Sequence, residues 1–319
     1  MEQYPRLEWG LGADLSAAWD VLGIGVVTVD DLIYVDHYPS PGSKMPIQVQ
    51  RREGGGLTGT ALVAASRLGA RCALAGVLGS DELSRFSLQE LEREGVDCNP
   101  VLRRDGARPI HSLVIVDLST GQRTIIYSIA GYTRLRREEI TEELIADCRV
   151  LFVDHLAGEG GLRAVELARA QGIPVVADIE GEDRPGVSDL MRQVDHLIVG
   201  VDLAQRLTGE NGPGDMVRAL SEDGRACCVV TAGERGCWYS EGGRAVRHCP
   251  AFRVQVVDTT GCGDVFHGAY AACIAQGQSA STAVRLATAA AGIKATQPGG
   301  RAGIPDRATI DRFLKQHCT

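Results

Sequence analysis

The sequence predicts an α/β protein with a mostly parallel central sheet, helices on both faces and a small β-sheet lid. Two observations predict this class. Apolar segments of strand length alternate with helical segments through most of the chain, as in parallel sheets with right-handed crossovers. Two strand-rich inserts, near 31–52 and 105–130, interrupt this alternation. We expect them to form a lid over the strand ends, where open α/β sheets bind ligands.

Hydrophobic patterning assigns the elements in chain order. The first are a continuous apolar strand, two shorter polar strands, a small-residue helix, a strand and an amphipathic helix: 21–29, 31–38, 43–52, 58–68, 72–77 and 82–93. Residues 110–117 and 123–129 flank a Ser-Thr-Gly-Gln turn and predict a hairpin. Strands and helices then alternate over 150–153, 162–170, 174–177, 188–192, 196–199, 203–207 and 227–231. Three final helices start at Val265, Ala280 and Asp306.

Length and charge limit the class of protein. The 319 residues, 44% of them hydrophobic, suffice for one large domain or two small ones. We interpret 21–319 as a single domain with two lid inserts. A polar extension, 1–20, precedes it and carries Trp9 and Trp19. The formal net charge of −8 disfavours nucleic acid or an anionic membrane as the main partner.

The sequence also indicates the compartment. No apolar run reaches the roughly 18 residues that span a bilayer, and the first 20 residues lack the pattern of a signal peptide. The ten cysteines contain no C-x-x-C pair, and several lie in apolar runs, where thiols act as small hydrophobes. We therefore expect a reduced, cytoplasmic protein.

The most informative segment is a glycine-rich turn that opens a helix. An apolar run, 254–257, ends shortly before Gly261, Cys262 and Gly263, and Asp264 follows directly. Backbone N–H groups at a helix start favour an anion. A carboxylate beside a phosphate cradle suits removal of a proton from an attacking hydroxyl. Alternatively, the role of Asp264 is limited to complementing the partial positive charge of the helix N-terminus. These residues alone leave both interpretations open.

Five segments together resemble one family. Residues 257–269 are similar to the DTxGAGD signature of the ribokinase-like (PfkB) carbohydrate kinases, with Cys262 where Ala is usual. Glu53-Gly54-Gly55-Gly56 begins a stretch that resembles the N-terminal signature of the family. Further matches are Leu207-Thr208-Gly209, Val230-Thr231-Ala232-Gly233-Glu234-Arg235-Gly236 and Gly299-Gly300-Arg301-Ala302-Gly303-Ile304-Pro305. The order and spacing match from about Val21 to the C-terminus.

The resemblance implies a ribokinase-like fold and ATP-dependent phosphorylation of a hydroxyl on a ketose-like sugar or sugar derivative. It implies that Asp264 is the general base and that Gly261, Cys262 and Gly263 form an anion hole. The implied nucleotide-binding residues are Thr231, Gly233, Gly236, Gly299, Gly300 and Gly303. Mg²⁺ should arrive with ATP, held by phosphates and waters. Asp258, with carbonyls around Thr260 and Gly299, is an implied site for a monovalent cation such as K⁺.

The resemblance also implies the acceptor site. Asp30 matches the residue that holds sugar hydroxyls, although it could be a turn acid. Gly55 and Gly56 let the backbone approach the sugar. Lys44 could hold an anionic group of the substrate or be a solvated edge lysine. The remaining candidates for this cavity are Thr60, Arg123 and Tyr127.

The chain departs from the family pattern at two places. The usual Asn-x-x-Glu motif is replaced by Gly200-Val201-Asp202-Leu203, where Asp202 is a partial substitute. Leu57 and Thr60 stand where sugar-binding Asn residues are usual, which argues against ordinary ribokinase specificity. Within the family, the chain resembles the sulfofructose kinase and ketohexose kinase branches. Leu156 and Tyr127 occupy the positions expected for sulfonate-binding residues, so sulfofructose is not predicted.

Other functions of the same fold stay open. The chain could be a nucleoside kinase, or a sugar-binding regulatory protein with weak catalysis, as the lost Asn-x-x-Glu motif suggests. The lid of relatives often pairs with a second subunit, so the resemblance implies a homodimer through the lid. A thiol at a helix N-terminus should have a lowered pKa, which would make Cys262 redox-sensitive. Alternatively, Cys262 is buried, neutral and a substitute for Ala.

Overall fold

The computed structural model describes residues 17–120, 122–221 and 225–317. Within these ranges the chain forms fifteen strands and ten α-helices. The strands are β1 (Trp19–Ile24), β2 (Thr28–Val35), β3 (Val49–Gly55), β4 (Cys72–Ala75), β5 (Val77–Leu78), β6 (Val96–Asp97), β7 (Leu102–Arg103), β8 (Ile110–Asp117), β9 (Arg123–Ser128), β10 (Cys148–Asp154), β11 (Val175–Ile179), β12 (His196–Gly200), β13 (Cys227–Thr231), β14 (Cys237–Glu241) and β15 (Arg247–Cys249). The helices are α1 (Leu57–Arg67), α2 (Glu82–Arg93), α3 (Glu142–Ala146), α4 (Gly158–Ala170), α5 (Val187–Gln193), α6 (Val201–Thr208), α7 (Pro213–Leu220), α8 (Cys262–Ala275), α9 (Ala280–Lys294) and α10 (Arg307–Gln316).

The central sheet has nine strands in the order β15-β14-β13-β12-β11-β10-β1-β4-β6. All pairs from β13 to β6 are parallel, and β14 and β15 add an antiparallel edge. Strand residues alternate between two cores, as for Leu151 and Phe152, which are both fully buried on opposite faces. The predicted mostly parallel sheet is therefore confirmed.

Helices cover both faces of this sheet, as predicted. Helices α1, α8, α9 and α10 pack on one face, and α3 to α7 pack on the other. Small residues allow α1 and α8 to approach closely, since a Cβ on Gly268 would overlap the Ala61 carbonyl oxygen. This contact fixes the start of α8 beside the start of α1, at the carboxyl edge of the sheet.

A separate four-stranded sheet forms the predicted lid, in the order β3-β2-β8-β9. The predicted hairpin is β8 and β9, joined in antiparallel register. The predicted continuous strand over 21–29 is wrong, because β1 ends at Ile24 and β2 begins at Thr28. Asp154 causes this break: its Oδ2 accepts the Val26 N–H at 2.7 Å, and a Cβ on Gly25 would overlap the same oxygen. Asp30 therefore lies within a lid strand instead of following a core strand.

Some strands and helices differ from the prediction in their boundaries, and others were not predicted. Strand β3 begins at Val49, six residues later than predicted, and patterning missed α3, α7, β14 and β15. Trp19 and Asp20 belong to β1 although the sequence analysis assigned them to the extension, and Trp19 Nε1 donates to Asp97 Oδ2 at 3.0 Å. Trp9 lies outside the described residues. No helix in the described part of the chain is both long and apolar enough to cross a membrane.

Candidate active site

The predicted anion hole is the first turn of α8. Gly261 caps this helix at φ 74°, a left-handed conformation, and a Cβ there would lie 2.8 Å from the Gly300 carbonyl oxygen. Glycine is therefore required on both grounds. Gly263 faces open space, and Asp264 is half-buried in the same turn. The N–H groups of this turn and the Asp264 carboxyl thus lie together at the start of α8.

The electrostatic environment of Asp264 is acidic. Burial raises the pKa of Asp264 well above its usual range, and the Asp178 and Glu180 carboxyls raise it further, whereas His267 and Arg301 oppose them. Asp178 is 1% exposed, and neither of its carboxylate oxygens has a hydrogen-bond partner. Sequence analysis missed both neighbours. Their signal was an Asp-Ile-Glu stretch directly after the apolar run of β11.

A carboxylate joins the two C-terminal glycine-rich loops. Asp258 Oδ1 accepts the Thr260 N–H at 2.8 Å, and its Oδ2 accepts the Gly299 N–H at 2.9 Å. Although burial opposes it, these N–H groups hold the pKa of Asp258 below its usual range. Glu53 accepts the Gly300 N–H at 3.0 Å, so the lid also reaches this junction.

Asp30 lies on the lid face that turns toward the core. Its Oδ1 accepts the Thr28 hydroxyl at 3.0 Å, and β2 places it opposite Ser112 in β8. Burial raises the pKa of Asp30, although hydrogen bonds to Ser112 and Thr28 oppose the rise. A Cβ on Gly55 would overlap Asp30 Oδ2, so this glycine makes room for the carboxylate.

Arg301 connects these parts and contacts Thr60, one of the predicted substrate-binding residues. Thr60 is 1% exposed in α1, and its hydroxyl accepts from Arg301 Nε at 3.3 Å. It therefore supports the guanidinium, and its predicted contact with substrate stays a prediction. Arg301 is 8% exposed and donates from Nη2 to the Gly55 carbonyl at 2.7 Å. Its charge acts on both Asp30 and Asp264.

The other lid candidates differ in position. Arg123 and Tyr127 share the lid face of Asp30 by strand alternation, and Arg123 Nη1 donates to the Thr259 hydroxyl at 3.4 Å. Tyr127 is 63% exposed. Lys44 is exposed on the loop between β2 and β3, and no residue in the described part of the chain hydrogen-bonds or ion-pairs with it. Its predicted contact with an anionic substrate stays a prediction.

The predicted nucleotide-binding residues lie in the turn after β13 and in the loop after α9. Thr231 ends β13, and the tight turn that follows contains Gly233 and Gly236. A Cβ on Gly236 would overlap the Cys249 carbonyl oxygen, so the turn packs closely against the chain after β15. Gly303 packs similarly, with a Cβ position 2.8 Å from the Lys294 carbonyl oxygen. Both loops are thus closely packed against their own surroundings, and their contact with a nucleotide stays a prediction.

The structure contradicts the lowered pKa expected for the Cys262 thiol, whereas its sensitivity to oxidants stays a prediction. Burial raises the pKa of this thiol, and its Sγ points to the Ala291 carbonyl at 3.6 Å. The helix-terminus argument failed because loss of solvation outweighs the partial positive charge. The structure favours the alternative, a buried neutral substitute for Ala.

Asp202 lies apart from the buried carboxyls. It is exposed in the first turn of α6. Among residues 17–120, 122–221 and 225–317, no group of three or more His, Cys, Asp or Glu side chains is arranged to hold a metal ion. Asp178 and Glu180, rather than Asp202, are the acidic residues that act on Asp264.

Comparison with known proteins gives consistent matches. A family model described as pfkB family carbohydrate kinase matches residues 24–307. The chain is 24% identical to a ribokinase of Haemophilus influenzae, over 92% of this chain and 97% of that protein. It is 28% identical to fructokinase-1 of Oryza sativa, over 82% and 88%. The crystal structure of a putative ribokinase from Agrobacterium tumefaciens matches with a TM-score of 0.88 and 31% identity, over 93% and 97%.

We predict that Glu180→Gln moves the acidic limb of the pH profile of kcat/KM to lower pH. The base must be deprotonated, so activity is lost as pH falls through the raised pKa of Asp264. Removing a neighbouring negative charge lowers that pKa, and the change is modest because Glu180 faces solvent. The control is Glu92→Gln, an exposed residue in α2. An unchanged limb in Glu180→Gln would remove Glu180 from the electrostatics of the site.

Proposed function

Because this chain belongs to the PfkB family of carbohydrate kinases, and is thus an ATP-dependent carbohydrate kinase, we propose that it phosphorylates a hydroxyl of a ketose-like sugar or sugar derivative. One observation carries the proposal. Asp264 adjoins the N–H groups of the α8 turn, and a lid carboxylate, Asp30, interacts with the same buried Arg301. An acceptor between lid and core would meet a hydroxyl-binding group and a base.

The chemistry follows from these positions. Asp30 would accept hydrogen bonds from acceptor hydroxyls under the lid, and Asp264 would take the proton of the attacking hydroxyl. The N–H groups of Gly261, Cys262 and Gly263 would donate to oxygens of the γ-phosphoryl group. Phosphoryl transfer needs mainly positioning and electrostatic stabilisation, which these groups supply.

The carboxylates beside the site suit Mg²⁺. Asp178 has two buried oxygens without hydrogen-bond partners, one of them 3.4 Å from His267 Nδ1, and burial together with Glu180 and Asp154 raises its pKa well above the usual range. A nearby cation would lower the pKa of Asp178 again, because it stabilises the ionised carboxylate. We propose that Mg²⁺ arrives with ATP and that Asp178 and Glu180 face it. When bound, Mg²⁺ neutralises phosphate charge.

The exposed lid supports a homodimer. Every residue of β9 is exposed, and this strand forms an edge of the lid sheet. Several large apolar side chains of the lid and its flanks are more than one third exposed: Leu113, Leu118, Ile125, Ile126, Tyr127 and Ile129. Monomeric proteins seldom leave such an edge and patch uncovered. We propose that a second copy of the chain covers it.

We expect Asp264→Asn to lower kcat by on the order of 10²–10⁴-fold, because the base is lost, while ATP still binds. Turnover is measured as ADP formation with ketoses, nucleosides and sugar phosphates as acceptors. The matched control is Asp189→Asn on the surface of α5. Near-parental turnover in Asp264→Asn would contradict its role. If only nucleosides gave ADP formation, the substrate would be a nucleoside and not a sugar.

Asp30→Ala should raise the KM for the acceptor far more than the KM for ATP. Loss of a charged hydrogen-bond partner costs roughly 1.5–3 kcal/mol of acceptor binding. Initial rates over both substrates measure the two constants. Asp36→Ala, exposed just beyond the end of the same strand, is the control. Parallel changes in both KM values would make Asp30 structural.

For the dimer, we expect Ile126→Asp to yield monomers, because burying a carboxylate in an apolar interface is costly. Light scattering after size exclusion gives the mass. Leu102→Asp places the same charge at an exposed apolar position in β7, outside the lid, and should leave the mass unchanged. A parental protein that is monomeric at tens of micromolar would refute the proposal.

A further inference from the structure

Lys294 is a buried cation beside the anion hole. It ends α9, its side chain is 0% exposed, and its Nζ donates to the Asp258 carbonyl oxygen at 2.9 Å. Lysine is rare in this chain, with three among 33 basic residues, and the other two, Lys44 and Lys315, are exposed. A fully buried lysine is unusual unless its charge has partners.

The ammonium lies where two glycine-rich loops meet. Asp258 ties the loop before α8 to Gly299 through its carboxylate, and the Val257 and Asp258 N–H groups both donate to the Ala295 carbonyl. The carbonyl of Lys294 itself accepts from the Gln297 N–H. Lys294 is thus part of the backbone junction that shapes the anion hole from behind.

Charged and titratable groups face Lys294 from several elements. Burial lowers its pKa, and Arg123 on the lid acts in the same direction. Cys262 in α8, Asp258 in the loop and Glu53 in β3 favour the charged ammonium. Two carboxylates therefore offset the cost of burying one positive charge.

This arrangement disagrees with the monovalent-cation site expected from the sequence. Both carboxylate oxygens of Asp258 accept backbone N–H groups, and its carbonyl oxygen accepts from Lys294. A K⁺ ion at those oxygens would lie beside an ammonium of the same charge, which repels it. The donor set therefore does not fit K⁺.

We propose that the Lys294 ammonium replaces a monovalent cation at this junction, so that the protein works without K⁺. An ammonium supplies the same single charge and three donors for oxygen acceptors. It is covalently attached, so its local concentration does not depend on the medium. The inference rests on the proposed kinase function where activity is measured, but binding and stability also report on it.

The experiment compares the parent protein with Lys294→Met, which keeps the length of the side chain and removes the charge. Thermal unfolding and ATP affinity are measured in KCl and in choline chloride at equal ionic strength. The parent should behave alike in both salts. Lys294→Met should bind ATP roughly tenfold more weakly in choline, about the loss of one charge-assisted contact. KCl should restore affinity and raise the melting temperature in a saturable manner.

Lys315→Met is the matched control, because it removes an exposed ammonium by the same substitution. It should not respond to K⁺. Saturable activation or stabilisation of the parent by K⁺ would overturn the proposal, as would a Lys294→Met variant that binds ATP normally in both salts or fails to respond to K⁺. If Lys294→Met does not fold in either salt, the comparison of the parent protein in KCl and in choline chloride tests the proposal. A parent that phosphorylates no sugar refutes the proposed function, while its unfolding curves still test the cation.

Discussion

The site depends on one buried guanidinium. Arg301 Nη2 donates to the Gly55 carbonyl, its Nε donates to Thr60, and its charge acts on Asp30 and Asp264. Burial lowers its pKa to about 10, so it stays protonated at neutral pH. Desolvating an arginine costs several kcal/mol, which hydrogen bonds and opposite charges must offset. The position of the lid strand, the start of α1 and the base all follow from that compensation.

The other charged groups of the site fall into two clusters, which the same balance of burial and charge explains. The negative charges of Asp178 and Glu180 raise the pKa of Asp264, and Glu180 also raises the pKa of Asp178. Asp178 has no hydrogen-bond partner within the described residues. On the other side, Asp258 is held ionised by backbone N–H groups and faces Lys294. The acidic side has an excess of negative charge, whereas on the side of the glycine loops the Lys294 ammonium and backbone N–H groups balance the carboxylates. A nucleotide with its metal ion would complement both.

Sequence patterns predicted the elements whose conformation depends on residues close to them in the chain. The hairpin of β8 and β9, the α8 turn and the alternating core could be predicted, because turn residues and apolar periodicity determine them. The position of Asp30 could not, because Asp154, more than 120 residues away, breaks the first apolar run. Arg301, Lys294 and Asp178 were missed for the same reason, since their roles depend on packing between distant segments. The error at Cys262 came from applying a helix-terminus rule without knowing burial.

The glycine motif shows how far sequence reasoning goes. Gly56 and Gly261 have positive φ, and backbone conformation alone requires glycine there. Gly54 and Gly59 are different: their φ values are ordinary, but a Cβ on either would overlap or crowd Arg301. Gly55 similarly leaves space for Asp30. Side chains elsewhere in the fold therefore require glycine at these three positions. If Arg301 were replaced by a smaller residue, its side chain would no longer require glycine at positions 54 and 59.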